Sequence, residues 1–600
     1  MNILLTAINA KYIHSNLAVY SLRACAGEYR DAVELAEYTI NNQKDYILEE
    51  LYKKKPDVLC FSCYIWNIDY VTDIAREYKK LCPSVPIWVG GPEVSYEVEA
   101  FLRENPYIDG VMIGEGEDTF RELCAYYHAN PDMDNVNAFK KLADISGIAF
   151  RDDNGSVIFT PARPIKNMSE IPFCYDTLDD FSNRIIYYES SRGCPFSCSY
   201  CLSSVDKTLR FRDTEIVKRE LKFFIDQKVP QIKFVDRTFN CNHAHAMELW
   251  RFIKANDNGV TNFHFEISAD LLNQEELELI SDMRPGLIQL EIGVQSTNEV
   301  TIKEIHRTMK LERLKEVVRL IQSGNNIHEH LDLIAGLPYE DYDSFGRSFD
   351  EIYELKPNQL QLGFLKVLKG SYMFEHATEY GIVYHDKPPY EVMSTKWLSF
   401  DDVIKIKRVE EMLEVYYNSG QFEITMKLME CIFDSAFEFF QELGDFYEAN
   451  GYFGMSHSRI RRCEILLEFL ALYLHGCDSD DMASVGLSGN AGDRDNTDFD
   501  ENAQIYKMIQ ESLIFDLYYR ENCKSRPVWA TDIGSFKHMT HAYCKNGKLS
   551  HVEPFHYIFP DKHTRKLDEL PKYHKEPVWA LFHYDMRDPL DHQALVEYVE

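Results

Sequence analysis

Short apolar runs alternate with helix-period segments through the first quarter of the chain. Asn2–Thr6, Val58–Ser62, Ile87–Val89 and Gly110–Ile113 are rich in Val, Ile, Leu and aromatic residues, which predicts buried strands. Between them, Asn67–Leu81 and Glu97–Glu104 carry apolar positions at helical spacing. Strand and helix alternating in this way predict an α/β fold with a parallel sheet, a doubly wound, Rossmann-like domain over residues 1–135. Ligands of such sheets sit above the carboxyl ends of the strands.

Two further strand-like runs lie between Ile145 and Thr160. They flank the segment DDNG, where Asn154 and Gly155 accept the positive φ of a tight turn, so residues 136–184 read as a hairpin linker. A second series follows from about Ile185: Ile232–Val235, Phe263–Ile267, Leu287–Ile292, His328–Ile334 and Gln359–Phe364, with helical segments between. This predicts a full or partial α/β barrel over residues 185–370. Beyond Gly370 the pattern changes to long helices, Phe400–Tyr417, Phe422–Glu442 and Ser458–Leu474, and residues 371–600 read as a mainly α-helical domain. Within it, residues 477–502 are acidic and almost free of large apolar side chains, which predicts a mobile loop. Strand-like pieces at Val552–Ile558 and Val578–Tyr584 close the chain, and no internal repeat is found.

At 600 residues the chain exceeds one hydrophobic core, and its 45% apolar and 27% charged residues are ordinary for a globular protein. The longest apolar candidate, Ile465–Leu474, is too short to cross a bilayer and is interrupted by Glu468. The opening MNILLTAINAKY carries neither a basic leader nor a small-residue cleavage site, so a cytoplasmic protein is expected. Lys and Arg total 64 against 97 Asp and Glu, a net charge of −33, which disfavours nucleic acid as a partner. A small molecule, a lipid precursor or a peptide suits this charge better. The 15 cysteines are scattered and odd in number, which fits reduced thiols with a few metal ligands among them.

The densest chemistry lies in SSRGCPFSCSYCLSS, where Cys194, Cys198 and Cys201 form a C-x3-C-x2-C triplet. Thiolates this close on one loop wrap an iron–sulfur cluster, and three ligands for four irons leave one iron open to a cosubstrate. Structural zinc is the alternative, but it calls for a fourth Cys or His nearby, and the next thiol, Cys241, lies far downstream. The triplet, with the aromatic Tyr200 before its last cysteine, resembles the signature of the radical S-adenosylmethionine (SAM) superfamily, and the likeness extends over residues 185–370. The resemblance implies a 4Fe-4S cluster whose open iron chelates SAM, reductive cleavage of SAM to a 5′-deoxyadenosyl radical, and Tyr200 packed near the adenine. It also implies an oxygen-sensitive protein served by an external one-electron reductant such as flavodoxin or ferredoxin.

Later motifs extend the likeness. FHFEISADLL, IGVQSTNEVTIKEIHRTM and HLDLIAGLPYED are similar to the family's cosubstrate-binding strands, which implies SAM contacts from Glu266, Gln295, Arg307 and Asp332. One departure stands out: where the family often carries a GGE-like segment, this chain has KFVDRTFN with Asp236 and Arg237. Ordinary ion pairs at barrel ends are the alternative for Glu266, Arg307 and Asp332.

The first domain offers VGGPEVS, with Gly90 and Gly91, and IGEGEDTF, with Gly114 and Gly116. Neither follows the first strand, where a dinucleotide fingerprint belongs, and Glu115 and Glu117 would repel a pyrophosphate. In this order before the cysteine triplet, the two segments resemble the cobalamin-binding domain that precedes many radical SAM modules, which implies cobalamin against those four glycines. A fold that has lost its cofactor is the alternative. His14 stands after the first strand, but Tyr12 and Leu17 replace the Asp and Gly of a D-x-H-x-x-G cobalt-ligand motif, so His14 reads as loop packing. Cys60 and Cys63 read as buried on opposite faces of a strand.

Residues 371–600 resemble the uncharacterised domain that follows this two-module arrangement in some bacterial proteins. Their aromatic residues, including Trp397, Tyr416, Tyr417, Phe439, Phe440, Trp529 and Trp579, read as core. With both cofactors present, the resemblance implies methylation of an unactivated carbon. Radical oxidation or rearrangement without methyl transfer, and a non-catalytic iron–sulfur sensor, stay open. No catalytic side chain is identified from sequence.

Overall fold

The computed structural model describes residues 1–130, 141–152, 154–475, 501–544, 549–560, 564, 567 and 569–599. The first sheet has seven strands: β1 Ile3–Asn9, β2 Val33–Thr39, β3 Val58–Ser62, β4 Ile87–Gly90, β5 Gly110–Met112, β6 Ile148–Arg151 and β7 Val157–Phe159, in the order β2-β1-β3-β4-β5-β6-β7. β1 to β5 are parallel, as the alternation of strand and helix predicts. The hairpin at Asn154 and Gly155 is present, but β6 pairs antiparallel with β5, so these strands continue the first sheet. Side chains alternate along β1 and β3 into two cores: Leu4, Ile8, Leu59 and Phe61 pack on one face, Ile3, Leu5, Val58 and Cys60 on the other. Cys63 joins the core opposite to that of Cys60, as the strand period requires.

The second sheet contains β8 Ile186–Tyr188, β11 Gln231–Phe234, β12 Asn262–Ile267, β13 Ile288–Gln295, β14 His328–Ala335 and β15 Gln359–Phe364, all parallel. A two-stranded ribbon, β9 Ser191–Arg192 with β10 Arg210–Phe211, stands beside it. The order β15-β14-β13-β12-β11-β8 leaves β15 and β8 as edges, so the barrel is partial. Phe263, Phe265, Ile267, Ile288, Leu290, Ile292, Leu331 and Leu333 point outward into a core with the surrounding helices. The alternate positions on the same strands, among them Lys233, His264, Glu266, Glu291, His330 and Asp332, are polar. A polar lumen fits a site better than a core, because each such group needs a partner.

The third region begins with a ribbon, β16 Val383–Tyr384 and β17 Val392–Ser394, and ends in an antiparallel sheet of β18 Ser550–Phe555, β19 Val578–Arg587 and β20 Ala594–Val599. Between them lie helices Phe400–Leu413, Glu423–Met429, Ala436–Ala449, Arg459–His475 and Glu501–Arg520. The single helix expected over Phe422–Glu442 is therefore two. Carboxylates from distant elements hold the two N-termini: Asp516 accepts from Ile424 N at 3.0 Å and Thr425 N at 2.9 Å, and Asp350 accepts from Phe437 N at 2.8 Å. Tyr416, Phe439 and Phe440 are buried in the core shared with the barrel, and Trp397, Tyr417 and Trp529 pack against it. Of the mobile loop expected at residues 477–502, residues 477–500 lie outside the described residues, while Glu501 and Asn502 open a helix.

The first domain is fastened to the rest along two seams. In one, Ile185 N donates to Ile13 O at 2.8 Å, Ser15 Oγ donates to Ile185 O at 2.8 Å, and Arg184 pairs with Glu37 at 2.6 Å. In the other, the Tyr390 hydroxyl donates to Glu93, and Lys369 lies 3.9 Å from Glu97. Among the described residues no helix is long and apolar enough to cross a membrane.

Candidate functional site

The cysteine triplet occupies the loop after the short strand β9, above the carboxyl ends of β8 and β11. Cys194 and Cys198 are buried and Cys201 is half-buried. The strand that enters the loop is clamped from below. Asp236, wholly buried at the end of β11, accepts from Ser190 N at 2.9 Å, Ser190 Oγ at 2.6 Å and Ser191 Oγ at 2.6 Å, and His245 Nε2 lies 3.1 Å from Ser190 Oγ. Burial pushes the Asp236 carboxyl up to about 7 and the His245 imidazole down to about 4. Beyond the turn, Ser199 N donates to Ile305 O at 2.9 Å and Met373 N to Ser199 O at 2.9 Å, so three separate segments fix the loop.

Burial holds the Cys198 thiol above its ordinary value, Arg307 pulls it down, and the charges of Cys201 and Cys194 raise it again. The three thiols therefore act on one another, yet among the described residues no three Cys, His, Asp or Glu side chains converge on a single ion. Thiolates that each bind a different iron of one cluster need no such convergence, so the donor set suits an iron–sulfur cluster.

A cavity of about 150 Å³ opens beside Cys198 and Phe196, lined by Glu266, Gln295, Arg307 and Asp332. Sequence spacing alone places these four on separate strands and a loop; the barrel gathers them. Gln295 sits at φ +76 where β13 and β14 shift register, a left-handed position uncommon for a residue with a side chain. Gly293 leaves room for the Gln295 side chain, since a Cβ there would overlap Gln295 Nε2 and crowd Arg307. Gln295 Oε1, Arg307 Nε and Asp332 Oδ1 are buried with no hydrogen-bond partner. Unpaired polar atoms of this kind mark a place for a polar ligand. Burial, reinforced by Glu291 and Glu266, pushes the Asp332 carboxyl up to about 8, and burial with Glu291 also raises Glu266. Glu291 behaves oppositely: despite its burial, the His264 hydrogen bond and Lys233 pull it down to about 2.

A larger cavity, about 700 Å³, lies between the two sheets. Gly90, Gly91, Gly114 and Gly116 line one side, at the carboxyl ends of β4 and β5, and Tyr187, Ser191, Arg192 and Arg237 line the other. Gly91 admits no side chain, because its Cβ would overlap the Cys63 carbonyl oxygen, and its φ of +121 is one that L residues rarely adopt. Such a glycine-walled cleft above strand ends fits a bulky ring ligand. His14 reaches the cavity wall, but its Nδ1 is 2.7 Å from the Tyr187 hydroxyl, consistent with loop packing.

The carboxylates of the GEGE segment are not free to repel a ligand. Arg192 meets Glu117 at 2.8 Å, Glu189 at 2.8 Å and Glu115 at 3.4 Å, and Arg210 meets Glu115 at 2.5 Å. The residue two before Cys194 is thereby tied to the glycine loop of the other domain. This network and the Ser190–Asp236–His245 clamp were not visible in the sequence. The departure at Asp236 and Arg237 was the one signal that pointed to the clamp.

Three family models match the chain: B12 binding domain over residues 3–124, Radical SAM superfamily over 188–352, and Protein of unknown function (DUF4080) over 378–593. The chain carries a B12 binding domain followed by a radical SAM domain. Among curated relatives, the 2-(S-pantetheinyl)-carbapenam-3-carboxylate methyltransferase of Streptantibioticus cattleyicolor is 28% identical over 318 residues, 50% of this chain and 45% of that protein. The chain spans about half the length of the curated relatives it matches first. Solved structures that share this fold include two with bound cofactors. The methyltransferase TsrM from Kitasatospora setae, with cobalamin and a 4Fe-4S cluster bound, has a TM-score of 0.51 at 17% identity, over 65% of this chain and 82% of that one. The cobalamin-dependent enzyme OxsB, with aqua-cobalamin and SAM bound, has a TM-score of 0.53 at 15% identity, over 86% and 79%.

Proposed function

We propose that this protein is a cobalamin-dependent radical SAM methyltransferase that acts on an unactivated carbon of a small molecule, lipid precursor or peptide. The observation that carries the reading is the adjacency of the two cavities: Arg237 lines both, so a ligand of the glycine-walled cleft and a ligand beside Cys198 face one space. In this reading Cys194, Cys198 and Cys201 hold a 4Fe-4S cluster, the smaller cavity takes SAM, and the larger takes cobalamin. When bound, these groups supply a 5′-deoxyadenosyl radical that removes hydrogen from carbon and a methyl group to replace it.

The chain's own residues bind and orient. Arg307 and Gln295 would offer their unpaired polar atoms to the zwitterionic end of SAM, Glu266 and Asp332 would offer carboxyl groups to its hydroxyl and amino groups, and Tyr200 would pack near the adenine. Gly90, Gly91, Gly114 and Gly116 let backbone approach the corrin. Because Tyr12 and Leu17 replace the Asp and Gly of the D-x-H-x-x-G motif around His14, cobalamin is read as bound without a protein histidine on cobalt. The chemistry requires an external one-electron donor of the flavodoxin or ferredoxin type, a cytoplasmic setting and protection from oxygen.

The test is incubation of anaerobically reconstituted protein with reductant, methyl-labelled SAM and a cell extract. The expected products are 5′-deoxyadenosine, S-adenosylhomocysteine and label in a third compound. Formation of 5′-deoxyadenosine without transferred label would point to oxidation or rearrangement, and formation of neither product to a sensor.

A further inference from the structure

Arg237 is unlike every other charged side chain around the larger cavity. Arg192 holds Glu115, Glu117 and Glu189; Arg210 holds Asp206 at 2.9 Å; Arg212 holds Glu220 at 2.6 Å. Arg237 is exposed; its carbonyl accepts from Thr238 Oγ1 at 2.8 Å, while among the described residues its guanidinium makes neither a hydrogen bond nor an ion pair. It stands three residues beyond the end of β11, next to the buried Asp236 that anchors the cluster loop, so its backbone is fixed while its side chain is free. Its charge acts on Tyr64 in the larger cavity and on Glu266 in the smaller one. Tyr64 in turn is stacked on Trp66, with ring centroids 4.4 Å apart at 7°, which gives the same wall a flat apolar platform.

An unpaired guanidinium in a cleft is a planar, five-donor fork whose best partner is a carboxylate or a phosphate. Here it stands where the two cavities meet. In a protein of net charge −33 the field beyond the cleft repels anions, so an anion reaching Arg237 must be held by local contacts. Resting on the methyltransferase reading, we propose that Arg237 binds an anionic group of the substrate, a carboxylate or a phosphate, and so sets which carbon lies between the two cavities. The substrate class narrows accordingly to carboxylic acids and phosphate esters, with an apolar or planar portion against Tyr64.

Inorganic phosphate and acetate, titrated calorimetrically into protein loaded with cluster and cobalamin, test the site without knowledge of the substrate. One of the two should bind saturably, and which one distinguishes the phosphate from the carboxylate source. Arg237→Gln should weaken that binding at least about tenfold and Arg237→Lys by less, as a charge without the fork predicts. Iron and cobalt contents of both variants check that the protein is folded. Parallel equilibrium binding of SAM guards against a different assignment: a loss of SAM affinity equal to the loss of anion affinity would place Arg237 on the cosubstrate and overturn the proposal. So would the absence of phosphate and acetate binding, or labelled product from the extract that an anion exchanger does not retain. If no label is transferred but anion binding is lost in Arg237→Gln, the methyl-transfer reading falls and the anion site stands.

Discussion

Arg307 donates to the phenolic oxygen of Tyr200 at 3.1 Å while the same nitrogen lies 3.9 Å from Cys198 Sγ. Its other terminal nitrogen donates to the Gly293 carbonyl, and Nε is left buried without a partner. One guanidinium thus joins the cysteine loop to the end of β13 and keeps a donor in reserve.

Arg307→Lys keeps the charge and loses the fork. SAM affinity, read by equilibrium dialysis with labelled SAM on the cluster-loaded protein, should fall at least about tenfold while iron content is retained. Undiminished affinity would remove Arg307 from the cosubstrate site.

Replacing Cys194, Cys198 and Cys201 together with alanine should abolish iron binding after anaerobic reconstitution, measured by iron assay and electron paramagnetic resonance. The loop is fixed by Asp236, Ile305 and Met373 rather than by the thiols, so the variant should remain folded. Full iron content in the triple variant would send the assignment to other cysteines.

Asp332 predicts a pH dependence. A carboxyl whose folded value is raised to about 8 binds its proton more tightly in the folded state than in the unfolded chain, so stability is greatest at low pH and declines as pH rises from about 4 to about 8. Asp332→Asn should flatten this part of the profile and make the cofactor-free protein more stable near pH 8, by about 2 kcal/mol or more. Urea midpoints of both proteins across that range are the measurement; parallel profiles would refute the buried, unpartnered carboxyl.

Arg192→Ala should destabilise the protein by about 3–5 kcal/mol, because it leaves the buried Glu117 without its cation. Adding Glu117→Gln should recover part of that loss in urea unfolding. Strictly additive losses in this cycle would mean that the two side chains do not interact.

Gly91→Ala forces a methyl group into the Cys63 carbonyl oxygen and an alanine into a positive φ. The expected cost is about 2 kcal/mol or more, together with loss of cobalamin uptake measured as cobalt per chain. Normal cobalt content would move the corrin away from the β4 loop.

The interior strands were plain in the sequence. Val58–Ser62 and Gln359–Phe364 are observed as read, because apolar character and flanking breaks agree there. β2 was missed: as the edge strand of its sheet it carries Glu34 and Glu37 and buries only Val33, Ala36 and Thr39, so it lacks the apolar run of its neighbours. The break between Met429 and Ala436 had one local signal, Ser435, which caps the second helix by accepting from Glu438 N at 3.0 Å; the carboxylates that also hold the two N-termini, Asp516 and Asp350, lie 91 and 87 residues away in sequence. The site divides in the same way. The cysteine triplet and Glu266, Gln295, Arg307 and Asp332 belong to local motifs, whereas Arg192 finds Glu117 across 75 residues and Ser190 finds His245 across 55. Periodicity reports which face of an element is covered, not which distant charge covers it.

The two seams of the first domain, one at Ile13–Ser15 with Ile185 and the other at Glu93 with Tyr390, have a mechanical result. Spreading the cleft to admit a large polymer would break the Ile185–Ile13 backbone bond and the Ser15–Ile185 bond on one side and a carboxylate–phenol bond on the other. A slim or extended ligand would enter this cleft without breaking either margin.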